Sequence, residues 1–374
     1  MIERIHFQNY KALQNVQLDF GRLTVLVGAN ACGKSTVLKG IEWLYATADA
    51  ETDEAWWLRT EAQLRDRATL GQHGRIAVTA FFSEGGEVAL ALAPGTKAGR
   101  LSIRLDNDTQ DAPMDALKGF IGVLPRTYVE YLNLEPKLLA APSAEAELEP
   151  DGRHLAGRLA DLALNQPQVL DRIRSQLAAV VPGVRYFRFP KVRLSRSVQE
   201  SIEVKGHIYS RLAEHEYWGN RLEVEFEDLG WVSADDLSEG TLNVLGLLTA
   251  LHGSIDRNYV VLIDDIDRGL HPRAQAELIA CLRRILDLRP ELQVICTTHS
   301  PFLLNHFNED EVRVMGLDAH RHARVRPLTA HPEWARWRSM MQVGEFWSAV
   351  GDDWVALDGV APPEAEASKG EAGG

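Results

Sequence analysis

The chain has 374 residues, which is long enough for two domains or for one large core with an inserted lobe. A hydrophobic content of 45% and a charged content of 25% are typical of a globular protein, and a net charge of −13 argues against a surface that coats nucleic acid broadly. No apolar run reaches the roughly 18 residues of a membrane-spanning helix, and the three scattered cysteines suit a reducing cytosol, so we expect a cytoplasmic protein outside any membrane.

The first part of the chain predicts strands that surround one helix. Residues 2–8 and 14–27 either alternate between apolar and polar side chains or are continuously apolar, with turns near Asn9 and Gly21. This pattern predicts strands. Residues 36–48 predict a helix, because their apolar side chains recur at helical spacing. A polar helix is predicted at 53–70, and further strands at 75–82, 87–93, 100–105 and 127–134.

The middle of the chain changes character after residue 142. An acidic loop bounded by prolines leads into two segments of helical periodicity and then into strands. From residue 226 the alternation of helix and strand resumes, with predicted elements at 239–252, 259–264, 272–287 and 292–297. We predict five segments: 1–139 as the N-terminal part of a nucleotide-binding head, 140–225 as an inserted helical lobe with return strands, 226–318 as the C-terminal part of the head, 319–361 as a Trp-rich extension, and 362–374 as a disordered tail.

The segment GANACGKST matches the phosphate-loop pattern G-x-x-x-x-G-K-[ST] in full. It follows an apolar strand and opens a helix, which is the context that makes the pattern specific. Backbone N–H groups of such a loop surround phosphate, the lysine reaches the outer phosphates and the serine hydroxyl binds Mg²⁺. The predicted nucleotide-binding residues are Gly28, Ala29, Asn30, Ala31, Cys32, Gly33, Lys34, Ser35 and Thr36.

Three further motifs follow in order. LSEGT places Ser238 as the N-cap of an apolar helix, whose N-terminus, with Glu239 and Gly240, can accept a phosphate group. Alone the pentapeptide is equally well explained as a plain cap. VVLIDDIDRGLHP then ends a strand in aspartates, where Asp264 is the candidate magnesium ligand. TTHSP ends another strand in His299, a candidate contact to the phosphate or to the attacking water.

Together these motifs resemble the ABC-type ATPases of the SMC, RecF and OLD group, and specifically the stand-alone AAA family of the AAA_15/AAA_21 type that is common among phage-defence genes. The opening IERIHFQNYKALQNVQLDFGRLTVLVGAN fits this group as well. The resemblance spans residues 2–318. It implies an α/β fold: an ABC-type head with a mixed β-sheet core, an antiparallel β subdomain and an inserted helical lobe.

The resemblance also implies cofactors and partners. ATP and Mg²⁺ would be held between two copies of the chain, with Lys34 and Asp264 of one protomer facing Ser238 and Gly240 of the other. Lys11 stands where the group often has a basic residue near the nucleotide. Too little sequence follows His299 for the nuclease domain of OLD proteins, so we expect a separate effector, for example a nuclease.

The residue after the magnesium aspartate departs from the usual Asp-Glu pair. Asp265 is one methylene shorter than glutamate, and a displacement of about 1 Å can slow a reaction on the order of 10²-fold. Asp265 is therefore predicted to be an inefficient base, with Asp267 as an alternative, and hydrolysis is expected to be slow. A scaffold that holds ATP with negligible turnover, and a RecF-like ATPase that binds DNA directly, are the alternatives.

Two other segments allow a functional and a structural interpretation. Residues 185–196 interleave arginines and a lysine with aromatic side chains, a pattern that can bind DNA or RNA but also fits a solvated strand or a protein contact. Residues 331–355 contain four of the nine tryptophans. Such a density of aromatic anchors indicates either a terminal helix packed on the core or a partner surface.

Overall fold

The structure, a computed structural model, describes residues 1–48, 76–83, 87–92, 99–105, 108–113, 127–204, 207–253 and 258–357. The helix predicted at 53–70 and the tail predicted at 362–374 lie outside these residues. The chain forms two compact units, one of Met1–Val129 with Gln293–Gly374 and the other of Glu130–Leu292. This division differs from the five predicted segments, whose functional boundaries stay a prediction.

The described residues contain the following strands: β1 Ile2–Tyr10, β2 Leu13–Asp19, β3 Leu23–Gly28, β4 Ile76–Phe82, β5 Glu87–Leu92, β6 Gly99–Leu105, β7 Asp108–Pro113, β8 Thr127–Leu132, β9 Val184–Arg188, β10 Lys191–Val204, β11 His207–Asn220, β12 Glu223–Phe226, β13 Gly230–Ser233, β14 Asn258–Ile263, β15 Leu292–Thr297, β16 Val312–Leu317 and β17 Ala323–Pro327. The α-helices are α1 Lys34–Ala48, α2 Pro136–Ala140, α3 Leu155–Asn165, α4 Pro167–Val180, α5 Glu239–Leu251, α6 Pro272–Leu288, α7 Pro301–Leu304, α8 Trp334–Trp337 and α9 Val343–Val350. Short 3₁₀ helices occupy Ala234–Asp236, Glu309–Glu311, Leu328–Ala330 and Asp353–Ala356.

The first unit contains an antiparallel sheet in the order β2-β1-β4-β5-β6-β7. Tyr10 pairs with Leu13, so the turn between β1 and β2 lies at residues 11–12. We had predicted that turn near Asn9, which instead remains inside the strand with a left-handed φ of 53°. The same unit carries the strand order β17-β16-β3-β15, in which β3 is parallel to both of its neighbours and β17 is antiparallel to β16.

Strand β3 is buried along its whole length, which explains its uninterrupted apolar sequence LTVLVG. Parallel strands end at the same edge of a sheet, so the segments that follow β3 and β15 leave the sheet side by side. Helix α1 begins directly after the loop that follows β3. The sheet therefore determines where the phosphate loop lies and which other strand end accompanies it.

The second unit contains helices α2–α6, strand β14 with the neighbouring part of β8 from Glu130 onward, and a small sheet in the order β13-β12-β9. Helix α5 is buried almost all round, as its sequence EGTLNVLGLLTAL predicts. Helix α6 is amphipathic and begins at Pro272, with His271 as its N-cap, so the GLHP segment forms a helix start. The four elements predicted between 239 and 297 form within one residue of their predicted ends.

The second unit also contains a long hairpin that we did not predict. Strands β10 and β11 have 14 residues each and pair from Lys191 with Asn220 to Val204 with His207. At about 3.3 Å per residue, the hairpin is roughly 45 Å long. The lobe predicted between 140 and 225, helical with return strands, thus contains helices α3 and α4 together with longer strands than we predict.

Candidate functional site

The loop GANACGKST bends sharply because three of its residues have a left-handed backbone. The φ angles of Gly28, Ala31 and Gly33 are 152°, 63° and 105°. A Cβ atom on Gly28 would lie 2.0 Å from the carbonyl oxygen of Met315, so only glycine fits there. Alternation of right- and left-handed residues directs neighbouring N–H groups into a concave surface that binds anions. The loop conformation is compatible with the predicted phosphate binding, which stays a prediction.

Lys34 is the first residue of α1 and is only 5% exposed. Its ammonium donates to the carbonyl oxygens of Gly28 at 2.9 Å and Ala29 at 3.0 Å. These bonds keep the positive charge over the loop, where phosphate oxygens would bind. Burial raises the pKa of the neighbouring Cys32 thiol, so Cys32 stays a neutral packing residue and not a nucleophile.

His299 lies at the same sheet edge as the phosphate loop. Strand β15 pairs in parallel with β3, so that Thr297 is opposite Leu26. One residue later the Thr298 N–H donates to the carbonyl oxygen of Leu26 at 3.2 Å. His299 follows directly and its side chain is exposed. Within the first unit the structure therefore brings together the loop and the predicted strand-end histidine.

Lys11 lies two residues before Leu13, a neighbour of the phosphate loop in the first unit. It is half-buried in the turn between β1 and β2, with a left-handed φ of 53°. The nearby Leu13 contacts the loop, because a Cβ atom on Gly33 would lie 3.4 Å from its Cδ2. The position of Lys11 agrees with a basic residue near the nucleotide, although its role stays a prediction.

A carboxylate of the C-terminal extension contacts the loop as well. The Ala29 N–H donates to Oδ2 of Asp352 at 2.6 Å. The extension packs tightly here, since a Cβ atom on Gly316 of β16 would lie 2.6 Å from the carbonyl oxygen of Asp352. Asp352 thus brings a negative charge to the predicted phosphate loop. Nothing in the sequence pattern indicated this contact, because 323 positions separate Ala29 and Asp352.

In the second unit the aspartates follow the end of β14. Asp264 is half-buried, and its Oδ2 accepts a hydrogen bond of 3.1 Å from the hydroxyl of Tyr131 on β8. Asp265 is exposed and has a left-handed φ of 49°. Its carbonyl oxygen accepts from the Arg268 N–H at 2.9 Å, so the chain turns immediately after the strand. Asp267 is half-buried within that turn.

A small cavity of about 70 Å³ lies beside these aspartates, inside the second unit. Asp264 and Asp265 line it together with Asn133, which follows β8, and Asn243 of α5. Asn133 therefore places an amide side chain in the same cavity as the two aspartates.

The LSEGT segment begins α5 in the second unit. The exposed Ser238 is its N-cap, and its Oγ accepts from the Thr241 N–H at 3.2 Å. Glu239 is the first helical residue and is also exposed. A Cβ atom on Gly240 would lie 2.4 Å from the carbonyl oxygen of Gly269 in the aspartate turn. Close packing alone therefore requires glycine at position 240, whether or not a nucleotide binds there.

The oxygen donors at the predicted metal positions suit magnesium. Ser35 offers a hydroxyl at the start of α1, and Asp264 offers a carboxylate after β14. Mg²⁺ prefers such oxygen ligands and usually takes only one or two from protein, the remainder coming from phosphate and water. Among the described residues no cluster of three or more His, Cys, Asp and Glu side chains forms a separate metal site. Each donor, taken in its own unit, is thus of the kind that Mg²⁺ binds.

Strand β9 and the start of β10 carry the basic and aromatic run. Arg185 and Arg188 form ion pairs with Glu227 and Glu223, and the Arg188 guanidinium lies 4.3 Å from the ring centroid of Trp231. Paired arginines have less charge to offer to phosphates. These contacts favour the interpretation of residues 185–196 as a solvated strand or a protein-contact surface. They argue against a nucleic-acid site in this segment.

The Trp-rich extension packs onto its own unit. Trp334 and Trp354 are 4% and 7% exposed, and the Trp334 indole donates to Glu309 at 2.6 Å. The His331 ring meets Phe346 and Trp354 edge-on, with centroid distances of 5.0 and 4.9 Å. The aromatic anchors of this segment therefore serve mainly to hold the extension. Of the helices described, none combines the length and apolarity needed to span a bilayer.

Two family models match the chain. The AAA_15 model, an AAA ATPase domain, matches residues 1–84, and the AAA_21 model, "AAA domain, putative AbiEii toxin, Type IV TA system", matches residues 124–305. An SMC head bound to the C-terminal winged-helix domain of ScpA has a similar fold, with a TM-score of 0.55 and 15% identity over 87% of this chain and 96% of that one.

The chain is an AAA/ABC-like P-loop ATPase. A second SMC head, from Pyrococcus furiosus, with an extended coiled coil and bound to the C-terminal domain of ScpA, has a TM-score of 0.50 and 13% identity over 90% of this chain and 99% of that one. The predicted fold class, an ABC-type head with a mixed sheet, an antiparallel sheet and inserted helices, is confirmed.

Curated relatives of this ATPase match only in part. An OLD nuclease of Thermus scotoductus is 22% identical over 85% of this chain and 62% of its own length. Septu protein PtuA of Bacillus mycoides is 33% identical over 24% of this chain, and that of Bacillus thuringiensis is 37% identical over 20%. The chain spans only 13% and 18% of the two Septu proteins.

Proposed function

We propose that this P-loop ATPase binds ATP with Mg²⁺, closes into a homodimer around it and hydrolyses it slowly. The closed state acts as a switch for a separate effector protein, and the pathway is phage defence. A nuclease is one example of such an effector. The phosphate loop carries the proposal, because its left-handed residues, its buried Lys34 and the neighbouring His299 belong to one unit.

Each catalytic group has a defined task in this proposal. The loop and Lys34 hold the phosphates, while Ser35 and Asp264 supply oxygen ligands to Mg²⁺. Asp265 accepts a proton from the attacking water, and His299 contacts that water or the outer phosphate. The shortness of Asp265 makes turnover slow without weakening ATP binding.

The comparisons support the pathway and the partner. Segments of the chain are similar to Septu protein PtuA, and much of it is similar to an OLD nuclease. The SMC heads of similar fold are bound to domains of another protein, ScpA. A P-loop ATPase that controls a partner protein is consistent with all three.

The proposal is tested first by removing the ammonium from the loop. Lys34→Ala should lower Mg-ATP affinity at least about 100-fold in calorimetry, because a buried charge-assisted contact to phosphate is lost. The matched control is Lys39→Ala, which removes an exposed lysine of the same helix and should leave the affinity unchanged. Equal ATP affinity in Lys34→Ala and the wild type would contradict the nucleotide site.

A second candidate function is an ATP-stabilised scaffold with negligible turnover. It is favoured by Asp265, which is exposed, short and held in a left-handed turn. The two functions differ in phosphate release at saturating Mg-ATP. If the wild type releases phosphate faster than Asp264→Ala, the protein acts as the hydrolysing switch. If the two release phosphate at equal rates, it acts as the scaffold.

A further inference from the structure

The hydroxyl of Tyr131 contacts the carboxylate that is proposed to bind magnesium. Tyr131 lies on β8 and is 8% exposed, so its ring is fixed among other side chains. Its hydroxyl donates to Oδ2 of Asp264 at 3.1 Å. The two residues are 133 positions apart, so no local sequence requirement places them together.

A second tyrosine on the same two strands provides a comparison. Tyr259 of β14 is 1% exposed and donates to the carboxylate of Glu130 on β8. The chemistry is the same as in the Tyr131 contact, a buried phenol bound to a carboxylate across β8 and β14. The difference is location, since Asp264 lines the cavity beside Asp265, whereas Glu130 does not line it.

We propose that Tyr131 is a positioning residue for magnesium, and this proposal rests on the proposed ATPase function. A carboxylate has two oxygens, so it can accept a hydrogen bond at Oδ2 and bind a metal ion as well. The hydrogen bond restricts rotation of the Asp264 carboxylate and thereby orients its oxygens. Loss of such an outer contact typically weakens metal binding 10- to 100-fold.

The experiment measures how much Mg²⁺ strengthens nucleotide binding. Affinity for a slowly hydrolysed ATP analogue is measured in EDTA and in saturating Mg²⁺ for the full-length wild type, Tyr131→Phe and Tyr259→Phe. The gain from Mg²⁺ is the ratio of the affinity in saturating Mg²⁺ to the affinity in EDTA. We expect Tyr131→Phe to lower this gain about tenfold, with the affinity in EDTA unchanged. Tyr259→Phe should keep the full gain, although it loses an equivalent hydrogen bond.

A double-mutant cycle tests whether Tyr131 acts through Asp264. Asp264→Ala should abolish the gain from Mg²⁺, and adding Tyr131→Phe to it should change nothing further. An unchanged gain in Tyr131→Phe, or the same loss in Tyr131→Phe and Tyr259→Phe, would overturn the positioning role alone. A wild type whose nucleotide binding does not respond to Mg²⁺ would overturn both the positioning role and the proposed function.

Discussion

The backbone at Asp265 gives a physical reason for an aspartate after the proposed magnesium ligand. Its φ of 49° lies in the left-handed region, which aspartate and asparagine enter more readily than longer side chains. A glutamate here would have a side chain one methylene longer but would raise the free energy of the folded chain. The departure from the usual Asp-Glu pair is therefore linked to the turn that follows β14.

Variants at Asp265 separate the catalytic from the conformational effect. Asp265→Asn keeps the preference for the left-handed turn and removes the base, so phosphate release should fall about 100-fold or more with ATP affinity retained. Asp265→Glu should raise the rate about tenfold while lowering the free energy of unfolding by roughly 1 kcal/mol. Asp267→Asn is the control. If it alone abolished release, Asp267 would be the base.

His252 predicts a pH dependence of stability. It is the C-cap of α5, and burial lowers its pKa from 6.5 to about 4, with Arg172 and Arg289 adding to the effect. Between those two pH values the unfolded chain binds a proton that the folded chain does not, so stability falls as pH falls through this window.

His252→Gln should remove that contribution. The drop in urea midpoint between pH 7.5 and pH 4.5 should be smaller in His252→Gln than in the wild type, because both proteins share all other acid-titrating groups. His215→Gln, at an exposed histidine of β11, is the control and should show the wild-type drop. An identical drop in all three proteins would contradict the role of His252.

At the level of elements, the predictions succeeded where a local pattern determined the structure. The apolar run 23–28, the glycines of the loop and the cap at Ser238 are local signals, and the corresponding elements form as predicted. Only the start of the hairpin β10–β11 was predicted as a strand, although its local signal continues further. Val192, Leu194 and Val198 alternate with polar residues, which is the period of a strand.

Long-range contacts are what the sequence could not predict. Tyr131 is hydrogen-bonded to Asp264 although 133 positions separate them, and Ala29 to Asp352 although 323 positions do. Neither the spacing nor the residue types of these pairs indicate a contact. Strand order decides both contacts, and strand order is not encoded in any local period. Hence the local elements that carry the candidate residues were predictable, whereas the residues that contact them were not.

The C-terminal extension should weaken ATP binding through Asp352. Its carboxylate lies at the loop N–H of Ala29, where it would repel the phosphates of the proposed nucleotide. Asp352→Asn keeps an oxygen acceptor for that N–H and removes the charge, so ATP affinity measured by calorimetry at low salt should rise roughly three- to tenfold. The exposed Asp353 offers the control Asp353→Asn. An unchanged affinity in Asp352→Asn would show that the carboxylate does not act on the nucleotide.

At the scale of the whole molecule, the motifs are divided between the two units. The phosphate loop and His299 belong to the first unit, whereas Ser238, Gly240 and the aspartates belong to the second. Gly240 packs against Gly269 within its own unit, so a bulky residue at 240 would disturb the fold and the proposed dimer together. The exposed Ser238 is the better position to test dimerisation.

Two variants of Ser238 separate the helix cap from the dimer. Both Ser238→Ala and Ser238→Arg lose the hydrogen bond to the Thr241 N–H, which costs about 1 kcal/mol of stability. Only arginine adds bulk at the helix N-terminus, where the partner's phosphate is proposed to bind. In light scattering with Mg-ATP, Ser238→Ala should therefore form the dimer and Ser238→Arg should stay monomeric, with ATP still bound to each copy. Mass measured without nucleotide identifies any dimer that forms independently of ATP. An ATP-dependent dimer of Ser238→Arg, as stable as that of Ser238→Ala, would mean that the subunits associate through a different surface.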